Sequence, residues 1–296
     1  MKLDIRPLHD IFAAEIHGLD FSRPVGELPM DEIRAVSARY GVLILRNDRP
    51  PTDQQHVAFS KALGPIEANK LIKVAGVDRV RLNVPGLIDV GNLDPDNNIL
   101  KPDSRQMAFR RGDRLWHTDM SFNQNRATWS LLAGHEIPPQ GGETEFVDMR
   151  HAFEQLPKEM QTMLEQLTVE HSVWYSRQLG GYDKPTPEEI ESSPGARHKL
   201  VHVHAPSGRK TLYLASHASH IIGWPLDLGR GLIRELAAFA TQPQFIFRHT
   251  WRLGDVVMWD NLATMHRATE FEDTLYKRDM RRTTCREHPL PAQFAA

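Results

Sequence analysis

The first sixty residues alternate between apolar positions at helical spacing and short continuous apolar runs. Residues 31–40 place apolar side chains three or four positions apart, which predicts an amphipathic helix, and Gly41 is a typical helix stop. Residues 42–46 form a continuous apolar run, which predicts a buried strand. A capping box, with threonine followed three residues later by glutamine, predicts a second helix from Thr52 to Leu63.

Most of the other apolar runs are short and are bounded by glycine, proline, asparagine or aspartate, the pattern of strands joined by turns. Many short strands with few helices predict a mainly β fold, either a β-sandwich or a jelly roll. The predicted strands cover residues 12–20, 70–74, 87–92, 127–133, 143–147, 168–176, 200–204, 211–215, 245–251, 256–259 and 280–285. Further helices are predicted at residues 149–156, 158–167 and 229–241.

Two segments lack this periodicity. Residues 100–113 are polar and rich in arginine, and we expect them to form a loop over the site discussed below. Residues 177–197 contain a glycine pair and three prolines, which predicts a long irregular insert.

Composition narrows the class of protein. We expect the 296 residues to form a single domain, residues 1–296. A formal net charge of −2 gives no bulk attraction to nucleic acid or to membranes, and no apolar run reaches transmembrane length. The only cysteine, Cys285, excludes an internal disulfide, and no signal-peptide apolar run opens the chain. We therefore expect a cytoplasmic protein.

The strongest chemical signal is a histidine and a carboxylate two positions apart, His117 and Asp119. In an extended strand these two side chains point to one face, and His266 supplies a second imidazole far downstream. Two histidines and one carboxylate form the facial triad of non-haem Fe(II) oxygenases. With 15 histidines such a spacing also arises by chance, and His117 could then cap a turn while Asp119 bonds backbone amides.

Several further motifs occur with this pair in a fixed order along nearly the whole chain. Together they resemble the taurine/2,4-dichlorophenoxyacetate dioxygenase family. That resemblance implies a double-stranded β-helix (jelly roll) core with flanking helices, bound Fe(II), and 2-oxoglutarate and molecular oxygen as co-substrates. The motifs are Trp116-His117-Thr118-Asp119, Gly141-Gly142-Glu143-Thr144, His204-Ala205-Pro206-Ser207-Gly208-Arg209, Trp259-Asp260-Asn261 with His266-Arg267, and Arg278 with Arg282-Thr283-Thr284.

The resemblance also implies roles for individual residues. His117, Asp119 and His266 would be the iron ligands and the core of the catalytic site. Thr144 would hydrogen-bond the distal carboxylate of 2-oxoglutarate, and Arg278 would pair with the same carboxylate. A planar guanidinium suits that task because it can bond both carboxylate oxygens.

One departure from the family pattern concerns this arginine. The family's usual position for it falls on Lys277, eleven residues after His266, whereas Arg278 is one residue later. We attribute the shift to a one-residue insertion, because Arg278 and Arg282 keep their spacing. Arg282 would then touch the other end of the co-substrate or the substrate anion, and Arg281 remains a rival for that role.

Within the family the resemblance is greatest to the 2,4-dichlorophenoxyacetate branch. There Lys73 is a candidate partner for the substrate carboxylate, with a solvated loop lysine as the alternative. Asn92 lies where relatives have a polar pocket residue, and His204 is a further candidate for the pocket wall. His217 and His220 we interpret as structural, at a polar strand end.

The predicted function is hydroxylation of the side chain of an aryloxyalkanoate such as 2,4-dichlorophenoxyacetate, giving a phenol, glyoxylate, succinate and CO2. Ascorbate is a candidate activator, and we expect a homo-oligomer. The same chemistry on a taurine-like sulfonate or a plant aromatic acid is the first alternative. A zinc hydrolase or a non-catalytic jelly-roll binding protein is the second.

Overall fold

The computed structural model describes residues 3–67 and 81–287, a part of the chain that contains fifteen strands and eight α-helices. The strands are β1 (Asp4–Pro7), β2 (Ala14–His17), β3 (Val42–Leu45), β4 (Ile88–Asp89), β5 (Ala127–Glu136), β6 (Thr144–Asp148), β7 (Thr168–His171), β8 (Ala196–Lys199), β9 (Val201–His204), β10 (Arg209–Leu212), β11 (Ala218–Ile221), β12 (Ile246–His249), β13 (Val256–Asp260), β14 (Thr264–Ala268) and β15 (Asp279–Arg286).

The α-helices lie between and outside these strands. They are α1 (Met30–Tyr40), α2 (Asp53–Leu63), α3 (Arg105–Arg110), α4 (Met149–Glu154), α5 (Lys158–Leu164), α6 (Val173–Leu179), α7 (Pro187–Ser192) and α8 (Leu226–Ala240). Short 3-10 turns occupy Val25–Glu27, Arg111–Arg114 and Pro243–Phe245.

Two sheets enclose the core that holds the site. The larger sheet has the order β1-β2-β3-β13-β5-β15-β4, and the smaller one has the order β12-β6-β14. Phe146 of β6 packs in one buried cluster with Val257 of β13 and Met280 of β15, so side chains of both sheets share one interior. This arrangement confirms the predicted mainly β fold with flanking helices.

Helices cover the outer face of the larger sheet. Ile33 of α1 and Phe59 of α2 pack in one buried cluster with Leu43 of β3 and Met258 of β13. A further cluster joins α4 and α8 to the hairpin of β9 and β10 through side chains such as Phe153, Ile233 and Leu212. Successive side chains of the central strands therefore face two different apolar layers, which explains why β3 is buried throughout.

The locally encoded elements agree with the sequence. Helix α1 ends at Gly41, whose φ of 71° is the left-handed conformation that glycine adopts without steric cost. The Thr52 side chain accepts from the Gln55 amide and the Gln55 side chain accepts from the Thr52 amide, so the predicted capping box is confirmed.

Three predictions of irregular or extended structure are wrong. The segment predicted as a loop over residues 100–113 contains α3, because the Ser104 side chain caps its first turn by accepting from Met107. The strand predicted for residues 168–176 ends at His171, and α6 follows with Ser172 as its cap. The insert at residues 177–197 contains α7, capped by Thr186, and strand β8.

Strands β1, β11 and β14 were not predicted, because strands of only four or five residues give weak patterns. The strand predicted for residues 70–74, including Lys73, lies outside the described residues. Among the helices that the structure describes, none has both the length and the apolar composition to cross a membrane.

Candidate active site

Three buried side chains converge at the mouth of the two-sheet core. Each of His117, Asp119 and His266 offers a ligand atom, and these three atoms lie within 4.8 Å of one another. The Asp119 carboxylate lies 4.0 Å from Nε2 of His117 and 3.9 Å from Nε2 of His266. Among the described residues this is the one cluster of histidine, cysteine or acidic side chains that could hold a metal.

Backbone pairing brings the two histidines together. The amide of His117 donates to the carbonyl of His266 at 2.9 Å, and the amide of His266 donates back at 2.8 Å. His266 belongs to β14, whereas His117 forms only this isolated bridge, so the extended conformation considered for His117 and Asp119 is limited to one bridged pair. The bridge places the centroids of the two imidazole rings 4.2 Å apart.

Hydrogen bonds orient two of the three ligands. Nδ1 of His117 lies 2.7 Å from the carbonyl of Leu115, a contact that requires Nδ1 to carry the proton and leaves the lone pair on Nε2. Asp119 accepts from Ser130 Oγ at Oδ2 and from Arg282 Nη1 at Oδ1, both at 2.6 Å. Such outer contacts fix ligand geometry in metal sites.

His266 is oriented by packing, because its buried Nδ1 has no partner among the described residues. Its ring lies 4.6 Å from the ring of Trp259 and 6.0 Å from that of Phe146, measured between centroids. Burial, followed by the neighbouring His117, lowers the pKa of His266 to about 3, so the imidazole is neutral as metal binding requires.

Asp119 is the anionic member of the cluster. Burial alone would raise the pKa of its carboxyl, but Arg282 and the two histidines together lower it to about 2. Two neutral imidazoles and one carboxylate, preorganised on one side, fit a divalent iron ion that needs open positions for other ligands.

A buried cation, Arg278, directly precedes β15, the strand that carries Arg282. Arg278 is 5% exposed, its Nε has no hydrogen-bond partner among the described residues, and its Nη2 makes only a 3.4 Å contact to the Gly142 carbonyl. Burial lowers the pKa of Arg278 to about 10. An unpaired buried guanidinium is costly unless an anion joins it, so this position fits a carboxylate ligand.

Thr144 lies at the start of β6, two residues after Gly142, whose carbonyl contacts Arg278. Its Oγ1 accepts from the indole N–H of Trp251 at 3.0 Å, so its own hydroxyl hydrogen is left to donate. Thr144 and Arg278 thus each keep a donor that could serve a carboxylate.

The rival cations occupy different positions. Lys277 is exposed, whereas Arg278 is buried. Arg281 donates to Asp53 at 2.7 Å and to Asp279 at 2.8 Å, in an ion-pair network that excludes Asp119. These contacts favour Arg278 as the carboxylate partner and Arg282 as the arginine beside the metal cluster.

The residues predicted to touch substrate differ in their hydrogen-bond partners. Arg282 bonds Asp119, which ties it to a predicted ligand. The Asn92 amide nitrogen donates to the carbonyls of Asp273 and Tyr276, and its oxygen accepts from the Arg278 amide. Asn92 therefore holds the loop that carries Arg278, and its polar atoms are already engaged.

His204 is also engaged at both ring nitrogens. Nδ1 lies 2.7 Å from Ser207 Oγ, and Nε2 lies 2.8 Å from Asp260 Oδ2. Neither partner belongs to the metal cluster, and these bonds favour a structural role over the predicted place in the pocket wall. Lys73 lies outside the described residues.

The site has three further contributors without a predicted role in it, namely Asn261, Ser130 and His217. Asn261 accepts from the Asp119 amide at 3.0 Å and donates to Ser130 at 2.9 Å, which links the loop of Asp119 to β5. His217, interpreted as a strand-end residue, is buried with its ring 5.9 Å from that of His117. The Trp-Asp-Asn motif was the available signal for Asn261, and the three-residue spacing to His220 was the signal for His217, whereas Ser130 had none.

Comparisons with known proteins agree with this geometry. A family model described as taurine catabolism dioxygenase TauD, TfdA family, matches residues 4–284. The chain is 37% identical to an alpha-ketoglutarate-dependent 2,4-dichlorophenoxyacetate dioxygenase of Cupriavidus pinatubonensis, over 96% of this chain and 98% of the relative.

Two solved structures are also similar to this chain over nearly its whole length. The crystal structure of AAD-2 in complex with Mn(II) and N-oxalylglycine superimposes with a TM-score of 0.92 at 39% identity, covering 97% of this chain and 99% of that one. A taurine dioxygenase from Burkholderia xenovorans gives a TM-score of 0.74 at 28% identity, covering 97% and 92%.

Proposed function

Because the chain belongs to the TauD/TfdA family and is an Fe(II)- and 2-oxoglutarate-dependent dioxygenase, we propose that its substrate is an aryloxyalkanoate such as 2,4-dichlorophenoxyacetate. The observation that carries the substrate proposal is the 37% identity, over nearly both full lengths, to a 2,4-dichlorophenoxyacetate dioxygenase. The taurine dioxygenase is less similar, at 28% identity. The products would be a phenol, glyoxylate, succinate and CO2.

We propose His117, Asp119 and His266 as the protein ligands of iron. The chemistry that Fe(II) supplies at such a site is activation of oxygen coupled to the decarboxylation of 2-oxoglutarate. Ser130 and Arg282 hold the Asp119 carboxylate in place, and the Leu115 carbonyl holds the His117 ring.

Arg278 and Thr144 would bind the distal carboxylate of 2-oxoglutarate. The guanidinium supplies charge and an unpaired buried N–H, and the threonine hydroxyl supplies a second donor. Burial of both residues excludes water, which strengthens this ion pair. These two residues would hold one end of the co-substrate.

The substrate chemistry follows from where hydroxyl is added. Hydroxylation of the carbon next to the ether oxygen gives a hemiacetal, and the hemiacetal breaks down to the phenol and glyoxylate. The protein contributes position and exclusion of water. For the substrate carboxylate, Lys73 and Arg282 remain predicted partners, whereas the contacts of Asn92 and His204 favour positioning roles.

The runner-up is the same reaction on another small organic anion, such as a taurine-like sulfonate or a plant aromatic acid. The 28% identity to the taurine dioxygenase is the observation that keeps this alternative. Both candidate substrates would use the same metal cluster and the same Arg278 pocket. They would differ only in the residues that line the substrate-binding part of the site.

The deciding experiment measures succinate and phenol release with Fe(II) and 2-oxoglutarate across aryloxyacetates, aryloxypropionates, arylacetates, cinnamates and taurine. Faster coupled turnover of aryloxyacetates than of taurine is expected. Turnover of taurine alone would reject the aryloxyalkanoate proposal but not the dioxygenase class. Omitting and adding ascorbate tests its predicted role as activator.

We also propose that the chain is a single-domain cytoplasmic homo-oligomer. The buried free thiol of Cys285 suits a reducing compartment. Three exposed apolar side chains, Trp224, Leu226 and Leu228, lie within five residues and suit a contact between copies. Light scattering of the purified protein tests the assembly, and a mass equal to that of the 33.8 kDa monomer would reject it.

A further inference from the structure

A pocket beside Arg278 has a second arginine in its wall that the roles above do not use. The pocket lies between residues 90–92, residues 107–114 and the stretch that follows β14. Arg110, the last residue of α3, lines it together with Asp113, Arg114 and Arg278.

Arg110 is poorly paired for a buried cation. Its side chain is 16% exposed, and its Nη1 is buried without a hydrogen-bond partner among the described residues. The nearest acidic oxygen is Oδ2 of Asp89, 3.5 Å from Nη2. Asp89 is already occupied, because Arg81 donates to its two oxygens at 2.9 and 3.0 Å and the Gly91 amide donates at 3.0 Å.

The other charged groups of the pocket have partners. Arg114 donates to Asp273 at 2.7 Å and to Glu270 at 3.2 Å. Asp113 accepts from Arg177 at 2.8 Å. Arg110 and Arg278 are therefore two lining guanidinium groups that each keep a buried N–H without a partner in the described chain. Burying such donors is costly unless a ligand satisfies them.

We propose that Arg110 is a second carboxylate-binding residue of this pocket, and this inference rests on the proposed function. Arg278 is assigned to the distal carboxylate of 2-oxoglutarate, and Arg282 is bonded to Asp119. Arg110 is then the cation left in the pocket wall for a further carboxylate. The acid substrate and 2-oxoglutarate both carry that group, and the two arms of the experiment separate them.

The test compares wild type with Arg110→Met, which keeps an apolar stem, and with Arg111→Met as the matched control. Arg111 borders the same pocket, but it is exposed and its Nη2 donates to the Pro102 carbonyl. Both substitutions remove one positive charge, so the control shows how much the loss of charge alone changes each Kd. Anaerobic calorimetry with Mn(II)-loaded protein gives one Kd for 2-oxoglutarate and another for 2,4-dichlorophenoxyacetate.

Arg110→Met should raise the Kd of one of these two acids roughly 10- to 100-fold, as loss of a charge-assisted hydrogen bond does. Arg111→Met should change it much less. The acid that responds is the ligand of Arg110. Arg110→Lys, which keeps the charge but loses the guanidinium fork, should give an intermediate Kd. If Arg110→Met does not fold, Arg110→Lys replaces it in the comparison.

Thermal unfolding without ligand separates binding from a structural role. If Arg110 serves a ligand, removing this poorly paired cation leaves the Tm of Arg110→Met unchanged or raises it. A lowered Tm together with wild-type Kd values would show that Arg110 stabilises the fold through its contact with Asp89, and it would overturn the proposal. Equal Kd changes in the Arg110 and Arg111 variants would also overturn it. Failure of wild type to bind 2-oxoglutarate would instead reject the proposed function.

Discussion

The guanidinium of Arg282 donates from Nη1 to Oδ1 of Asp119 at 2.6 Å. The other oxygen of that carboxylate accepts from Ser130 at the same distance. Both carboxylate oxygens are thus held by neighbours on β15 and β5 before any metal joins. This explains how Asp119, on an irregular loop, could serve as a rigid ligand, and it shows that Arg282 orients this carboxylate in addition to its predicted role in anion binding.

Ser130→Ala should weaken metal binding about 10- to 100-fold, the usual effect of removing an outer-shell partner. The Asp119 carboxylate would lose the bond that fixes its orientation while keeping its charge. Calorimetric titration with Mn(II) measures the effect. Ser22→Ala, which removes an exposed hydroxyl bonded to Asp20, is the control, and equal affinities in the two variants would contradict the prediction.

Alanine at His117, Asp119 or His266 should abolish turnover and weaken Fe(II) binding while the fold is retained. Each substitution removes one of three proposed protein ligands. Oxygen consumption measures turnover, and circular dichroism measures whether the fold is retained. His220→Ala, a partly exposed histidine bonded to Ser219, is the matched control. A variant with wild-type oxygen consumption would remove its residue from the ligand set.

Arg278→Ala should raise the 2-oxoglutarate concentration needed for half-maximal rate far more than that of the acid substrate. Loss of a buried charge-assisted contact costs about 2–3 kcal/mol, or roughly 30- to 150-fold. Steady-state succinate release with each substrate varied in turn measures it.

Lys277→Ala is the control for that experiment, because this side chain is exposed and should leave the co-substrate requirement unchanged. Arg281→Ala should lower stability instead, since it breaks the ion pairs with Asp53 and Asp279. If Lys277→Ala rather than Arg278→Ala affects 2-oxoglutarate, the inferred one-residue insertion is wrong.

His56 should make stability depend on pH. Burial, followed by the nearby His135, lowers its pKa to about 4, whereas an unfolded histidine titrates near 6.5. Between these values the unfolded state binds more protons, so the free energy of unfolding falls as pH drops from about 7 to about 4, by up to about 3 kcal/mol. Asp53 and Arg281 also face this ring, with opposite effects.

Urea unfolding at pH 7.5 and pH 5 measures this effect. His56→Gln should lose less stability than wild type over that interval, because the titrating group is gone. His220→Gln should keep the wild-type difference. If His56→Gln shows the same loss as wild type, other buried histidines account for the pH dependence.

The local elements could be predicted because their causes are local. A left-handed glycine ends α1, and a threonine–glutamine capping box starts α2, within a few residues of each boundary. The capping serines of α3 and α6 were equally local signals, but they precede short helices whose apolar pattern is weak. There the polar composition and the β-branched residues gave a misleading prediction.

The sequence by itself determined the family, through motifs that resemble it, and the spacing of His117 and Asp119 predicted which side chains could hold the metal. Only the tertiary structure decided how the rest of the site is assembled. The bridge between His117 and His266, the pairing of Arg282 with Asp119, and the burial of Arg278 beside the exposed Lys277 all depend on strands far apart in sequence. The physical reason is that register and burial are set by packing between distant segments, which no local pattern records.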